Sequence, residues 1–182
     1  MRIIAGKCKG TRLLVAQRDT RPSSDRLKGS LFNSLFQNCF NQVWLDLYAG
    51  SGAIGLEALS RNAKHVFFND QSKEAYKSIQ QNIEKCSMTS QSSLYHLDAI
   101  DMIRMLNNQK REMDVIFLDP PYDVNIEDVL QELQQSYLVK NNTLFVIEQR
   151  KDAQAYHLDE SYTMIKEKVI GQSLYRVYQK GN

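Results

Sequence analysis

Asp46-Leu47-Tyr48-Ala49-Gly50-Ser51-Gly52-Ala53-Ile54-Gly55 is the stretch whose reading decides the fold. The apolar run Val43–Tyr48 leads into it and a helical stretch near 53–61 leads out. Glycines permit a sharp turn and remove the Cβ that would hold a ligand away from the backbone. A helix opening directly after such a turn presents free N–H groups to whatever lies there. Strand, glycine turn and helix in that order form the first unit of a parallel α/β sheet.

Working outward, the same alternation recurs. His65–Asn69, Ser93–Leu97, Asp114–Leu118 and Thr143–Glu148 are further short strands with near-continuous apolar runs, as expected of strands covered on both faces. Helical stretches near 72–86, 99–107 and 126–136 lie between them, and Ala75, Ile79 and Ile83 mark the helical period in the first. The tail departs from this pattern. Tyr162–Ile170 and Ser173–Gln179 read as strands joined by the two-residue turn Gly171-Gln172. The expected fold is α/β and Rossmann-like: a mostly parallel, doubly wound sheet with helices on both faces, finished by an antiparallel C-terminal hairpin.

Upstream, Arg2–Ala5 and Arg12–Val15 flank Lys7-Cys8-Lys9-Gly10 and read as a hairpin with basic residues at its tip. Residues 17–24 read as a loop. Asp25–Phe40 reads as a helix, with Leu27, Leu31 and Leu35 on one face and Ser23 or Ser24 available to cap its start. One domain spans 1–182: a basic hairpin and loop extension over 1–24, whose hairpin at 1–16 is free to pack apart from the main body, and an α/β core over 25–182.

Composition narrows the function classes. The chain has 182 residues and is 42% apolar, enough for a core without disulfides or metal. Cys8, Cys39 and Cys86 are scattered, no CxxC pair exists and there are 3 histidines, so no metal site is expected. Isolated thiols suit a reducing cytosol. No apolar run approaches the roughly 20 residues of a membrane span, and the N-terminus lacks the apolar stretch of a signal peptide. A cytoplasmic protein, away from membranes, is expected. Residues 1–28 carry eight basic residues against Asp19 and Asp25, a net +6, which leaves −4 for the rest of a chain of net +2. A basic arm on a mildly acidic body points to a polyanionic partner.

Gly50, Gly52 and Gly55 also match the dinucleotide-binding spacing, which makes an NAD-dependent oxidoreductase the natural rival. Asp46, four residues before the first glycine, tips the balance. A carboxylate there repels a pyrophosphate but can face the ammonium of a methionine moiety, directly or through water. S-adenosylmethionine carries an amino-acid end, a sulfonium and no phosphate, and suits an acidic glycine loop. The cofactor-binding set is then Asp46, Tyr48, Ala49, Gly50, Ser51 and Gly52, with Asp70 accepting the ribose hydroxyls. Asp98 and Ala99 reach the adenine, and Asp119 closes the site. Asp98 reads equally well as a helix N-cap.

Asp119-Pro120-Pro121-Tyr122 directly follows a buried strand and therefore sits on the same sheet edge as the glycine loop. An aromatic amine is a poor nucleophile because its lone pair delocalises into the ring. Asp119 can accept one N–H and the Pro120 carbonyl the other, which favours the pyramidal form. Pro120 and Pro121 restrict the backbone that carries these acceptors. Tyr122 can stack on the base for about 1–3 kcal/mol, and a paired base would have to be flipped out to arrive there.

These residues resemble the seven-stranded, class I S-adenosylmethionine-dependent methyltransferases. More narrowly, the chain resembles the bacterial 16S ribosomal RNA guanine-N2 methyltransferases. The likeness includes Met1–Gly6, Arg21–Arg26, Leu31-Phe32-Asn33, Leu45–Arg61 and Asp119–Tyr122. It implies methylation of a guanine amine in small-subunit ribosomal RNA or its ribonucleoprotein particle. It also implies that the segment after Arg21 helps to close the cofactor site. Asp70 stands where that family more often has Glu, and Asn62 where Gly is usual. Arg2, Lys7, Lys9, Arg12, Arg21 and Arg26 are the expected RNA contacts, and a monomer is expected.

An adenine-N6 DNA methyltransferase can share the tetrapeptide, but 182 residues leave little room for a target-recognition domain. A non-catalytic RNA-binding module would not need an intact tetrapeptide. Glu148, at the end of the fifth strand, is a possible substrate contact. Trp44 reads as core, Tyr175, Tyr178 and Arg176 as packing and surface, and His65, His96 and His157 carry no catalytic role.

Overall fold

The computed structural model describes residues 1–15, 25–36, 39–121 and 124–181. Expectations for Arg21, Ser23, Ser24 and Tyr122 fall outside these. Among the described residues seven strands form one sheet in the order β3-β2-β1-β4-β5-β7-β6. The strands are β1 (Val43–Asp46), β2 (His65–Asn69), β3 (Ser92–Tyr95), β4 (Met113–Leu118), β5 (Val139–Arg150), β6 (Tyr162–Ile170) and β7 (Ser173–Lys180). β1 to β5 pair in parallel, while β7 runs antiparallel to both β5 and β6. The α/β sheet with its closing hairpin is the architecture expected from the alternation of apolar runs.

Two cores flank the sheet. One face packs on α1 (Asp25–Leu35), α2 (Ala53–Ser60) and α3 (Lys73–Lys85), the other on α4 (Ala99–Asn108) and α5 (Glu127–Gln134). Trp44 is fully buried on the first face, stacked on Phe32 at 5.7 Å and met edge-on by Phe36 at 4.8 Å. α3 shows how sequence sets an element. Ser72 caps it by accepting from the Ala75 N–H at 3.3 Å, and Ala75, Ile79 and Ile83 turn inward. Asn62, just past α2, takes φ 75°, the left-handed conformation asparagine tolerates at a helix end. Among the described residues no helix is long and apolar enough to cross a membrane.

Three expectations need correction. First, the N-terminal segment makes no regular hairpin. It has one isolated bridge, Arg2 to Arg12, supported by Ile3 N to Thr11 O and Gly10 N to Ile3 O. Nor does it pack apart, because Ile3 and Leu13 join the first core. Every residue of α2 is buried, and a helix buried all round must be covered on its outer side. Residues 1–15 supply that cover. The Glu57 carboxylate accepts from Ile4 N (2.8 Å) and Ala5 N (3.0 Å), and Ser60 O accepts from Lys7 N (2.9 Å).

Second, β5 begins at Val139 rather than Thr143. Thr143 Oγ1 donates to Met113 O at 2.7 Å and accepts from Lys140 N at 3.1 Å, which carries the strand through a register shift opposite Met113 and Val115. The polar run Lys140-Asn141-Asn142 hides this from an apolar pattern. Third, Arg176 is buried, not on the surface. Its guanidinium donates to Glu167 (2.6 Å), Gln149 (2.7 Å) and the Ala153 carbonyl (3.1 Å).

Candidate functional site

The strand order reverses between β1 and β4, and ligands of open α/β sheets bind at such a switch point, beyond the strands' carboxyl ends. Asp46 pairs with Phe117 across this boundary, and Leu47 N donates to Phe117 O at 3.1 Å. The glycine loop after β1 and the tetrapeptide after β4 are therefore neighbours along one edge.

The loop is built from its glycines and held by side chains from below. Gly50 and Gly52 take φ 55° and 75°, a region that an L side chain strains to adopt. Gly55 serves another purpose. A Cβ there would lie 2.3 Å from the Phe68 ring, so this glycine lets α2 press onto β2. Ala49 N donates to Asn69 O at 2.9 Å and Gly50 N to Asp70 Oδ2 at 2.8 Å. The other Asp70 oxygen accepts from Ser72 N at 2.8 Å. Asp70 thus joins the loop to the start of α3 while half-buried at the cleft.

Asp46 lies beneath the loop, 1% exposed, with Oδ2 accepting from Gly55 N at 3.0 Å. Burial pushes its carboxyl up to about 7; the Gly55 bond opposes this and the nearby Asp70 charge adds to it. Asp98 caps α4, accepting from Ile100 N at 2.9 Å, so the structural role weighed for it is present. Ala99 opens that helix and is buried. Tyr48 stands close to Asp98 and Tyr156. Burial first, and then those two neighbours, push its hydroxyl up to about 12, so it remains a neutral donor. Three carboxylates, Asp46, Asp70 and Asp98, thus gather at the ends of the first three strands.

At the tetrapeptide, Asp119 is half-buried, Pro120 buried and Pro121 exposed, with Pro121 O accepting from Val124 N at 3.0 Å. Glu148 follows the Leu118–Ile147 pair of β4 and β5, which puts it beside Asp119, and it is 4% exposed. Arg2, Lys7, Lys9, Arg12 and Arg26 are all exposed. Among the described residues no three His, Cys, Asp or Glu side chains converge as a metal site would require.

Several organising residues carry no motif. Asn69 Nδ2 donates to Leu47 O (3.3 Å) and Leu97 O (3.1 Å) while its Oδ1 accepts from Leu97 N (3.2 Å), tying the ends of β1, β2 and β3 together. Asn82 donates to Leu14 O and Ser51 O, both at 2.9 Å, and accepts from Leu14 N at 2.8 Å. It fastens the N-terminal segment and the glycine loop to α3. A polar residue on the apolar stripe of a helical pattern is the one signal that could have marked it.

The chain resembles known proteins over its whole described length. A family model described as "Conserved hypothetical protein 95" matches residues 1–179. The "Ribosomal RNA small subunit methyltransferase D" of Haemophilus influenzae is 37% identical, across 98% of this chain and 93% of that protein. The "Putative methyltransferase yhhF from Escherichia coli" superposes with a TM-score of 0.87 at 28% identity, covering 100% of this chain and 98% of that one. The putative methylase HI0767 of H. influenzae superposes at 0.81 with 33% identity, covering 100% and 99%.

Proposed function

Since the chain belongs to the Conserved hypothetical protein 95 family, we propose that it transfers a methyl group from S-adenosylmethionine to the exocyclic N2 amine of a guanine in small-subunit ribosomal RNA. The observation that carries this is Asp119-Pro120 standing one strand away from the glycine loop on one sheet edge. A relative named for ribosomal RNA small-subunit methylation, matched along nearly its full length, supports the choice of acceptor.

The residues fit the cofactor. Left-handed Gly50 and Gly52 leave a cradle that a Cβ would strain, and three carboxylates that have no ion-pair partner among the described residues suit a cationic ligand better than a pyrophosphate. Ser51 and Gly52 offer backbone beside the amino-acid end, with Asp46 beneath. Asp70 accepts from the ribose hydroxyls, and Asp98, Ala99 and Tyr48 border the adenine. S-adenosylmethionine supplies an electrophilic methyl on a sulfonium.

The protein's own work is positioning and electrostatics. Asp119 and the Pro120 carbonyl accept the two amine N–H bonds, turn the nitrogen lone pair out of the ring and aim it along the reaction line. Pro121 restricts that backbone, and Tyr122 covers the base. Once the carbon–nitrogen bond forms, the amine sheds one proton, and Asp119 is the acceptor at hand. Arg2, Lys7, Lys9, Arg12, Arg21 and Arg26 hold phosphates of the RNA or its particle. The protein acts as a monomer in the cytoplasm.

Tritiated methyl transfer to unmethylated small-subunit ribosomal RNA or particles, followed by nucleoside analysis, tests the reading. Label in N2-methylguanosine, lost in Asp119→Ala, is the expected result. Label in another nucleoside refutes the guanine N2 assignment. Binding of NAD without S-adenosylmethionine would refute the reading altogether.

A further inference from the structure

A groove of about 740 Å³ lies where the N-terminal segment, α1 and the closing hairpin meet, away from the glycine loop. Arg2 and Lys9 come from the first element, Arg26 from the second and Lys168 from the third, and all four are exposed. Among the described residues none of the four has an ion-pair partner. Asp25 also lines the groove, but its Oδ1 accepts from Arg2 N at 3.3 Å and lies 3.7 Å from the buried Lys28 ammonium. Among the described residues four cations thus face one carboxylate that is already engaged.

The groove connects to the proposed reaction centre through the sheet. Lys168 pairs with Tyr175 and Tyr175 with Glu148, so the three side chains share one face. Glu148 flanks Asp119 on the next strand. Three strand spacings separate Asp119 from Lys168, on the order of 14 Å. Ser34, on the groove wall, meets the Tyr175 hydroxyl at 3.4 Å, which fixes α1 against this row. A strand whose target base sits at Asp119 would therefore meet the cations within the reach of its neighbouring nucleotides.

We propose that this groove is the track for the RNA backbone flanking the target guanine, with Lys168 of the closing hairpin as a phosphate contact opposite Arg2, Lys9 and Arg26. The inference rests on the RNA-methylating reading and deepens it: the C-terminal hairpin becomes part of the nucleic-acid surface, which an arm made of the N-terminal segment alone would not require. Counterion release makes the claim measurable, because each phosphate contact adds about 0.7–0.9 to the slope of log affinity against log salt.

The test measures binding and methylation of an unmethylated small-subunit ribosomal RNA transcript across a salt series. The unmodified chain is compared with Lys168→Gln, Arg2→Gln/Lys9→Gln and, as a control away from the groove, Lys110→Gln. For Lys168→Gln the expected result is a slope smaller by about 0.7–0.9 and a KM for RNA raised threefold or more. The kcat at saturating RNA and the affinity for S-adenosylmethionine should stay unchanged. A lowered slope in Arg2→Gln/Lys9→Gln with none in Lys168→Gln overturns the groove and leaves the reading standing. An equal loss in Lys110→Gln also overturns it, since the effect would then be diffuse charge. An unmodified chain that binds S-adenosylmethionine but neither binds nor methylates the RNA overturns the reading and the groove with it.

Discussion

Replacing Glu57 by Gln removes one charge from a site with no solvent. Its carboxylate is fully buried and accepts from Ile4 N at 2.8 Å, Ala5 N at 3.0 Å and Arg61 Nε at 2.9 Å, with Lys28 Nζ at 3.6 Å. Lys28 is equally buried, and its burial holds its ammonium below the usual lysine range despite Glu57 and Asp25. An amide keeps one acceptor oxygen but turns an N–H₂ toward groups that are themselves donors, and it leaves two cations under-neutralised. Removing one partner of a buried pair costs about 3–5 kcal/mol. The surviving oxygen puts Glu57→Gln near the lower end, about 3 kcal/mol. For a chain of this size that lowers the midpoint of thermal unfolding by roughly 6–12 °C. Urea and thermal unfolding give the magnitude. Hydrogen exchange at the Ile4 and Ala5 amides locates it, because these should open before the sheet does. Adding Lys28→Met should restore part of the loss, giving a coupling above about 1 kcal/mol in the double-mutant cycle. A change below about 0.5 kcal/mol, or strict additivity with Lys28→Met, would refute the claim that this buried charge clamps the N-terminal segment.

Other perturbations follow from the same geometry. Asp46, with its carboxyl near 7, binds its proton more tightly folded than unfolded, so its contribution is full below about pH 4 and lost as pH rises through 7. Unfolding at pH 5 and pH 8 should show the unmodified chain losing roughly 2 kcal/mol more than Asp46→Asn across that interval; parallel pH profiles would contradict this. Gly55→Ala should destabilise by about 1–2 kcal/mol, because overpacking against the Phe68 ring (2.3 Å) outweighs alanine's helix advantage of about 1 kcal/mol. Phe68→Leu in that background should recover part of it. Asp70→Ala should weaken S-adenosylmethionine binding about 10–100-fold, the value of a charge-assisted bond or two, whereas Asp119→Ala, at the edge of the cofactor site, should weaken it by less than about tenfold; calorimetric titration separates them.

What could be read from the residues was whatever repeats or stands alone. β2 is bounded as the apolar run His65–Asn69 suggests, and the glycine loop lies where strand gives way to helix. The tetrapeptide was visible because two prolines after an apolar strand leave few alternatives. The N-terminal segment was misread for a physical reason. Its short apolar runs resemble a hairpin, but its amides bond to Glu57 and Ser60, more than fifty residues away, and no local pattern reports that. Glu57 belongs to no motif of its own and is fully buried. Asn69 and Asn82 organise the site through backbone carbonyls and amides, which every sequence has and none displays.

The position of β7 bears on how the chain can fold as it is synthesised. β6 is made first, yet among the described residues its sheet partner is β7, which then inserts between β6 and β5. Until then β5 carries Phe145, Val146 and Ile147 beside an open edge, the kind of unpaired strand that recruits other chains. The N-terminal segment waits too, since its partners Glu57, Ser60 and Asn82 emerge long after it. Such separations raise contact order and slow folding. The finished molecule leaves β6 outermost, and the charges of Lys166, Glu167 and Lys168 blunt that edge against pairing with a second chain.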